Sequence, residues 1–303
     1  WDISKVEEKA VVARRFREMG KKAHFGKVAE LCFEKGSELP LGDPQRKFKG
    51  RHVFLGDQVR DEVYAEASFE NLGSAPPSME AARFLDAHSL QEGYCQTQSD
   101  AHSAYTQSWL GGAKGAGTPT FVELPEHRWP KSWKGKYDRP VVPLVLSLYG
   151  HPDSGGYWEQ HCCDKLKKAG FKPINGWMSA FWHDKYKMLL ICYVDDFKMA
   201  GKSSSLLQLW KELGQHISLD PVTPLNGQVY LGCTQLSVRP NYDLVSAKRA
   251  LFSRLITGTV DVNSTNSAAE GDLKPTDDIP TAKKNLASVA REFYAKRLQR
   301  YFG

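Results

Sequence analysis

The chain has 303 residues, of which 41% are hydrophobic, so it is long enough for one large domain or two medium ones with a buried core. Its net charge of +6 weakly indicates an acidic polymer as a partner. The six cysteines never stand in a C-x-x-C spacing, which argues against zinc-ribbon and thioredoxin-type sites. The sequence has neither a signal-peptide pattern nor an apolar run of about 18 residues, and we therefore expect a reduced, non-membrane protein.

The N-terminal part is predicted to begin with a helix and to continue with a basic strand. Apolar residues at roughly helical spacing predict a helical lead-in from Val6 to about Glu34. Gly, Ser and Pro residues in 36–44 predict a loop. Aromatic and β-branched residues between basic ones in 47–57 predict a strand with Gly56 at its turn, which can place cations over a substrate.

The middle of the chain shows helical and strand-like patterns in turn. Residues 79–89 are predicted to be helical, and 93–104 to form a strand and a turn. The Gly- and Trp-containing stretch 111–136 is predicted to be loop-like.

A β-hairpin with two acidic residues at its tip is the clearest feature of the sequence. The stretch from Lys187 to Tyr193 is apolar enough for a buried strand, and Phe197 to Ala200 predicts the returning strand. Asp195 and Asp196 stand between them.

Beyond the hairpin, the patterns become weaker along the chain. Residues 203–213 are predicted to form a helix and 227–238 to return to strand, followed by a linker over 260–281. A basic amphipathic helix is expected over 282–302, with the cations Arg291, Lys296, Arg297 and Arg300. Its basic face either contacts a nucleic-acid backbone or is simply exposed to solvent. We therefore divide the chain into a helical lead-in (1–45), a main domain (46–240) and a C-terminal linker with a further partial domain (241–303).

Two-metal-ion nucleotidyl transfer needs carboxylates that converge from different strands, because each cation is held near both the attacking hydroxyl and the leaving phosphate oxygens. Mg²⁺ prefers a few protein carboxylates together with substrate oxygens. The hairpin tip supplies Asp195 and Asp196. Asp100 is our candidate for the third carboxylate, although a helix-capping role is the alternative for it.

Five motifs resemble, in their order along about 47–236, those of the reverse transcriptases of copia-type retrotransposons. Tyr193-Val194-Asp195-Asp196 resembles the family's Tyr-x-Asp-Asp motif, and Gln98-x-Asp100-x-x-x-Ala104-Tyr105 resembles its upstream aspartate motif. The other three are Lys49-x-Arg51-x-Val53, similar to a fingers strand; Leu148-Tyr149-Gly150 followed by Tyr157-Trp158; and Tyr230-Leu231-Gly232, similar to the primer-grip region.

This resemblance implies an α+β fold: a right-hand polymerase palm, which is an antiparallel sheet backed by helices, with fingers and a partial thumb. It implies an RNA-directed DNA polymerase that transfers a nucleotide from dNTP to a primer 3′-hydroxyl with two Mg²⁺ ions, for which Mn²⁺ can substitute. The implied partners are an RNA or DNA template with its primer, and dNTP; no membrane is expected.

The resemblance also implies residue roles. The catalytic and metal-binding residues would be Asp100, Asp195 and Asp196. The dNTP-binding residues would be Lys49, Arg51, Ala101, Tyr105, Tyr149 and Gly150, with Tyr105 as the gate that disfavours a 2′-hydroxyl. The primer grip would be Tyr230, Leu231 and Gly232.

Several alternatives stay open from the sequence. Asp153-Ser154-Gly155-Gly156 departs from the family's Lys-Gln-Ala-Pro-Arg type of run, so an inactive retroelement relic that only binds nucleic acid is the main alternative function. A serine hydrolase that uses Ser154 is disfavoured because no His motif stands upstream. The Gly-rich run 111–117 lacks the Lys-Ser/Thr ending of a phosphate loop, and His161-Cys162-Cys163 fits a helix core better than a metal site.

Lys49 and Arg51 have a simpler alternative as a solvated strand edge, and Tyr105 as an ordinary core aromatic. Because the sequence starts at Trp1 rather than Met, we expect it to be part of a longer polypeptide. Too few residues follow the last motif for an RNase H domain, and protease, integrase and capsid functions of a polyprotein would lie outside this chain. A cytoplasmic location, including a virus-like particle of the element, is expected, and the oligomeric state is left open.

Overall fold

The computed structural model describes residues 1–69, 74–112, 117–238 and 241–257. Contacts within the chain divide it into two units, Trp1–Cys233 and Thr234–Gly303. The described residues have a mixed α+β fold with two larger sheets, in which antiparallel pairing dominates, and five α-helices. No helix in these ranges is long and apolar enough to cross a membrane.

The strands in chain order are β1 (Glu7–Glu8), β2 (His24–Lys35), β3 (Lys47–Phe54), β4 (Tyr94–Asp100), β5 (Thr120–Glu123), β6 (Pro140–Pro143), β7 (Lys172–Pro173), β8 (Ala180–His183), β9 (Met188–Tyr193), β10 (Asp196–Lys202), β11 (Thr223–Pro224), β12 (Val229–Tyr230) and β13 (Cys233–Thr234). The helices are α1 (Lys9–Glu18), α2 (Met79–Ser89), α3 (Ser154–Lys168), α4 (Ser203–Gly214) and α5 (Tyr242–Thr257).

The first sheet has five strands in the order β1-β6-β5-β2-β3. Strands β2 and β5 are parallel, and the other neighbours are antiparallel. Helix α1 buries Val12, Ala13 and Phe16 against Phe25 and Phe121 of this sheet. Strands β2 and β3 extend beyond this core as a long hairpin whose outer part is mostly exposed.

The second sheet has six antiparallel strands in the order β11-β4-β10-β9-β8-β7. Its central strands are buried on both faces, because side chains alternate between the two faces and a separate core packs against each one. Phe197 and Met199 of β10 pack in one core with residues of α3 and α4. Ala200, on the opposite face, packs in another core with residues of α2 and with Tyr230.

The predicted hairpin is confirmed, since β9 and β10 pair antiparallel around the two acidic residues. The prediction for α2 is confirmed with the same bounds, and α4 covers the predicted 203–213. The strand predicted over 227–238 is reduced to the two-residue strands β12 and β13. Between these strands the backbone turns, with φ of 46° at Leu231 and 77° at Gly232.

Two predictions about the N-terminal half were wrong. The predicted helix ends with α1 at Glu18, and most of the remaining lead-in is strand β2, which pairs with β5 over 24–27 and with β3 over 28–35. Pairing with strands so distant in sequence outweighs a local helical pattern. The stretch 111–136 is not simply a loop, because it contains β5 and two short 3-10 turns. The predicted linker and basic helix over 260–302 lie outside the described residues.

Candidate active site

The hairpin of β9 and β10 places the acidic pair at the end of the six-stranded sheet. Met188, Leu189, Leu190 and Ile191 of β9 are fully buried, which anchors this strand in the core. Tyr193 pairs with Asp196, so the two residues Val194 and Asp195 form the turn. Val194 has a positive φ of 53°, an uncommon backbone conformation for a β-branched residue. Such strain persists only where the surroundings hold it.

Pairing between β4 and β10 brings the third predicted carboxylate to the same place. Asp100, the last residue of β4, is the direct register partner of Asp196. The next residue, Ala101, donates its backbone N–H to the carbonyl oxygen of Asp195 at 2.7 Å. Residues that stand opposite each other in an antiparallel pair have side chains on the same face. The three aspartates therefore meet at one end of the sheet, and Asp100 ends a strand rather than capping a helix.

The carboxylates at this end of the sheet repel one another. Burial, followed by repulsion from Asp195 and Asp100, raises the pKa of Asp196 to about 6. The pKa of Asp100 is also raised, by burial first and then by Asp195 and Asp220. Carboxylates that repel one another in this way gain from a bound cation.

The chemistry of this donor set fits Mg²⁺, a hard cation that takes oxygen ligands. In the part of the chain that the structure describes, no three His, Cys, Asp or Glu side chains are gathered into a ready-made metal cage. Mg²⁺ does not need such a cage, because it is commonly held by one or two carboxylates, water and substrate phosphates. Asp100, Asp195 and Asp196 supply carboxylate oxygens of the kind that such an ion takes.

An aromatic and cationic cluster lies beside Asp195. The rings of Tyr105 and Tyr149 meet edge-on with their centroids 4.7 Å apart. The guanidinium of Arg51 lies over the Tyr149 ring, 5.1 Å from its centroid. Burial and then the Asp195 charge raise the pKa of Tyr149, which Arg51 partly offsets. Three residues predicted to bind dNTP, from three distant segments, are therefore brought together near Asp195.

Lys49 belongs to the same face of the β2–β3 hairpin as Arg51, since the two residues are two apart on β3. Its charge acts on Asp100, whose raised pKa is lowered in part by Lys35 and Lys49. Its register partner on β2 is Phe33, whose ring lies 5.8 Å from the Arg51 guanidinium carbon. The cations of this hairpin thus act toward the acidic end of the other sheet.

Gly150 and Ala101 occupy supporting positions. Gly150 has a φ of +86°, and a Cβ there would lie 2.1 Å from the carbonyl oxygen of Phe54. Phe54 in turn donates its N–H to the Tyr149 carbonyl at 2.7 Å. Gly150 therefore lets this segment approach β3 closely and so places Tyr149. Ala101 is buried, and its described contact to the hairpin is made by its backbone.

The predicted primer-grip residues form a turn near β10. The Tyr230 side chain is buried, and its ring lies 5.3 Å from the Lys198 ammonium nitrogen. Leu231 is 38% exposed and Gly232 completes the turn. Of these three residues, Leu231 and Gly232 are exposed at the surface.

The structure argues against a hydrolytic role for Ser154. This residue is buried at the start of α3, where its hydroxyl donates to the Leu148 carbonyl at 2.9 Å and accepts from the Leu148 N–H at 3.0 Å. The nearby His151 uses Nδ1 to accept the N–H of Asp153 at 3.2 Å. The serine and the imidazole are thus each engaged with backbone groups. Cys162, as predicted, is a core residue of α3.

Three residues near the site were missed by sequence reasoning. Trp158 of α3 belongs to a motif of the sequence but was given no role there; its indole N–H donates to the Val194 carbonyl at 2.7 Å. Asp220 donates its backbone N–H to the Asp100 carbonyl at 2.8 Å and adds a further negative charge. The position of Lys35 near the site could be inferred only from the register of β2 and β3, which the sequence does not give.

No protein-family model and no curated protein matches this chain. Among solved structures, the chain is similar to the foamy viral protease-reverse transcriptase dRH in complex with double-stranded DNA, with 13% identity and a TM-score of 0.31. The match covers 93% of this chain and 48% of that chain, so the chain spans about half of that structure's length. At this level of likeness, no role is transferred to residues of this chain.

Proposed function

We propose that the chain is an RNA-directed DNA polymerase of a copia-type retroelement. A primer 3′-hydroxyl attacks the α-phosphate of a dNTP that is selected by an RNA or DNA template, and pyrophosphate leaves. The chemistry needs carboxylates that hold metal ions, a cationic pocket for the triphosphate and a surface for the primer end.

The observation that carries this proposal is the register of β4 and β10. It sets Asp100 opposite Asp196, and the Ala101–Asp195 hydrogen bond of 2.7 Å ties the hairpin tip to β4. Two carboxylates in one turn are common because aspartate favours turns. A third carboxylate fixed opposite them from a segment far away in sequence is not explained by turn preference.

Asp100, Asp195 and Asp196 would hold Mg²⁺, which supplies a lowered pKa of the primer hydroxyl and neutralisation of the leaving pyrophosphate when bound. Arg51 and Lys49 would contact the triphosphate. Edge-on contact with Tyr149 keeps the Tyr105 ring close to Asp195, where it would lie against the sugar of the incoming nucleotide.

The test is primer extension on RNA and DNA templates, with Mg²⁺ and separately with Mn²⁺. The wild-type chain should extend the primer, and Asp195→Asn should retain below about 1% of that activity, because losing a metal ligand removes several kcal/mol of transition-state stabilisation. Asp164→Asn, on the exposed surface of α3, is the matched control and should extend normally. Binding of primer–template without extension by the wild type would favour the inactive relic instead.

A second measurement checks metal binding without relying on activity. Adding Mg²⁺ with dNTP should raise the melting temperature of the wild type, because a ligand that binds the native state stabilises it by mass action. Asp195→Asn should show a much smaller shift. An equal shift in both proteins would place the metal elsewhere.

A further inference from the structure

Lys198 is a buried cation next to the acidic end of the six-stranded sheet. It belongs to β10, and its side chain is only 1% exposed. Its register partner on β9, Ile191, belongs to the apolar core on that face. An ammonium group is costly to bury in such surroundings unless it is paired.

Lys198 contacts helix α2 and the ring of Tyr230. The ammonium group donates to Asp86 Oδ1 of α2 at 2.5 Å. It also lies over the ring of Tyr230, 5.3 Å from the centroid, as in a cation–π contact. The Tyr230 hydroxyl is buried without a hydrogen-bond partner in the described structure, so the face of the ring, not the hydroxyl, makes its polar contact.

These contacts connect two parts of the proposed site. Lys198 stands two residues after Asp196 on the same face of β10, and Tyr230 immediately precedes the Leu231–Gly232 turn. Helix α2 contributes Asp86, whose side chain is 41% exposed and so tolerates its own charge better than Lys198 does. The buried ammonium group of Lys198 thus connects three elements: helix α2, the strand that carries Asp196, and the residue before the predicted primer-grip turn.

We propose that Lys198 is a positioning residue that fixes the Leu231–Gly232 turn relative to Asp196, and so sets where the primer 3′-end lies against the metal-holding carboxylates. This inference rests on the proposed polymerase function. The inference predicts different effects on the binding of primer and on the binding of dNTP. Because the contacts of Lys198 with Tyr230 and Asp86 lead to the predicted primer-grip turn, its effect should fall on the primer and not on dNTP.

A purely stabilising ion pair is the alternative, and buried pairs replaced by apolar residues are often neutral in stability. Lys198→Met (K198M) keeps an unbranched side chain of similar length while removing the charge. We expect K198M to raise the KM for primer–template at least fivefold, with the KM for dNTP changed less than twofold at saturating primer. Tyr230→Leu (Y230L) removes the ring face without changing charge, and it should reproduce the same primer-specific defect.

Lys202→Met, at the exposed end of β10, is the matched control and should keep wild-type constants. Melting temperature is recorded for every variant, so that a folding defect is separated from a positioning defect. The inference is overturned if K198M and Y230L leave the KM for primer–template unchanged, or change both KM values equally. If K198M fails to fold, Y230L alone decides between these outcomes. If the wild type extends no primer, the proposed function fails first and the inference fails with it.

Discussion

The indole N–H of Trp158 donates a 2.7 Å hydrogen bond to the carbonyl oxygen of Val194, the turn residue directly before Asp195. This bond joins α3 to the tip of the hairpin, where Val194 holds a positive φ. A helix packed behind the sheet thus helps to fix the backbone that presents the acidic pair.

Trp158→Phe should therefore affect both stability and catalysis. The variant keeps an aromatic ring but leaves the partly buried Val194 carbonyl without its donor, at a cost of about 1–3 kcal/mol in the free energy of unfolding. A looser turn should also lower kcat in primer extension. Urea unfolding and extension kinetics measure the two effects. Unchanged kcat in a destabilised variant would show that the bond serves folding alone.

Gly150→Ala should destabilise the protein by about 3 kcal/mol, because a Cβ would collide with the Phe54 carbonyl and the φ of +86° disfavours L side chains. Gly135→Ala is the matched control, since Gly135 has a φ of +75° but no atom within 4 Å of its Cβ position. The free energy of unfolding of that variant should fall only by the cost of a left-handed backbone at an L residue, about 1 kcal/mol. Equal losses in urea unfolding would mean that the contact with Phe54 is easily relieved.

Arg51→Lys should raise the KM for dNTP about tenfold, which corresponds to ~1.4 kcal/mol, while the KM for primer–template stays near wild type. The charge is kept, but the planar group that stacks on Tyr149 is lost. Arg128→Lys is the control, because Arg128 pairs with Glu30 at an exposed position. A primer-specific defect in Arg51→Lys would move this cation from the nucleotide pocket to the template path.

His151 should make the fold less stable in mild acid, whereas Asp196, whose pKa is raised to about 6, should change stability in the opposite sense. Burial, followed by the neighbouring His24, lowers the pKa of His151 from 6.5 to about 4. Between these values the unfolded chain binds a proton that the folded chain does not, so stability is complete above about pH 6.5 and decreases as the pH falls toward 4. The loss is about 2–3 kcal/mol by pH 4.5. His24, whose pKa is also lowered by burial, adds a change of the same sign.

Urea unfolding at pH 7.5 and pH 4.5 tests this, with His151→Gln as the comparison. The variant should lose less stability than the wild type between the two pH values. Parallel losses in both proteins would assign the acid sensitivity to other groups.

The local parts of the fold were predictable from sequence. The buried run around Leu190 and the two acidic residues after it were sufficient for the hairpin, and Ser78, whose hydroxyl accepts the Ala81 N–H, begins a helix with clear apolar spacing. These elements are specified by side chains close to one another in the chain.

The longer-range parts were not predictable in the same way. Phe25 lies within the predicted helical lead-in, but in the structure it pairs with Phe121 of β5, almost a hundred residues later. Helix α3 contains Gly155 and Gly156, which weaken any helical pattern, and burial of Tyr157 and Trp158 outweighs that weakness. Within the candidate site, motif order was the basis for predicting Asp100, Arg51 and Tyr149. Their contacts, and the involvement of Lys198, required the register of the strands.

The alternation of β10 constrains how this hairpin can change. Phe197 and Met199 belong to the core of α3 and α4, whereas Asp196 and Lys198 belong to the opposite face. Inserting or deleting a single residue in the Val194–Asp195 turn would exchange these faces, since the side-chain period of a strand is two. Phe197 would then stand among charges, and a carboxylate would enter the apolar core. Turn length here is therefore expected to vary in steps of two, so randomised libraries of this hairpin should preserve that parity.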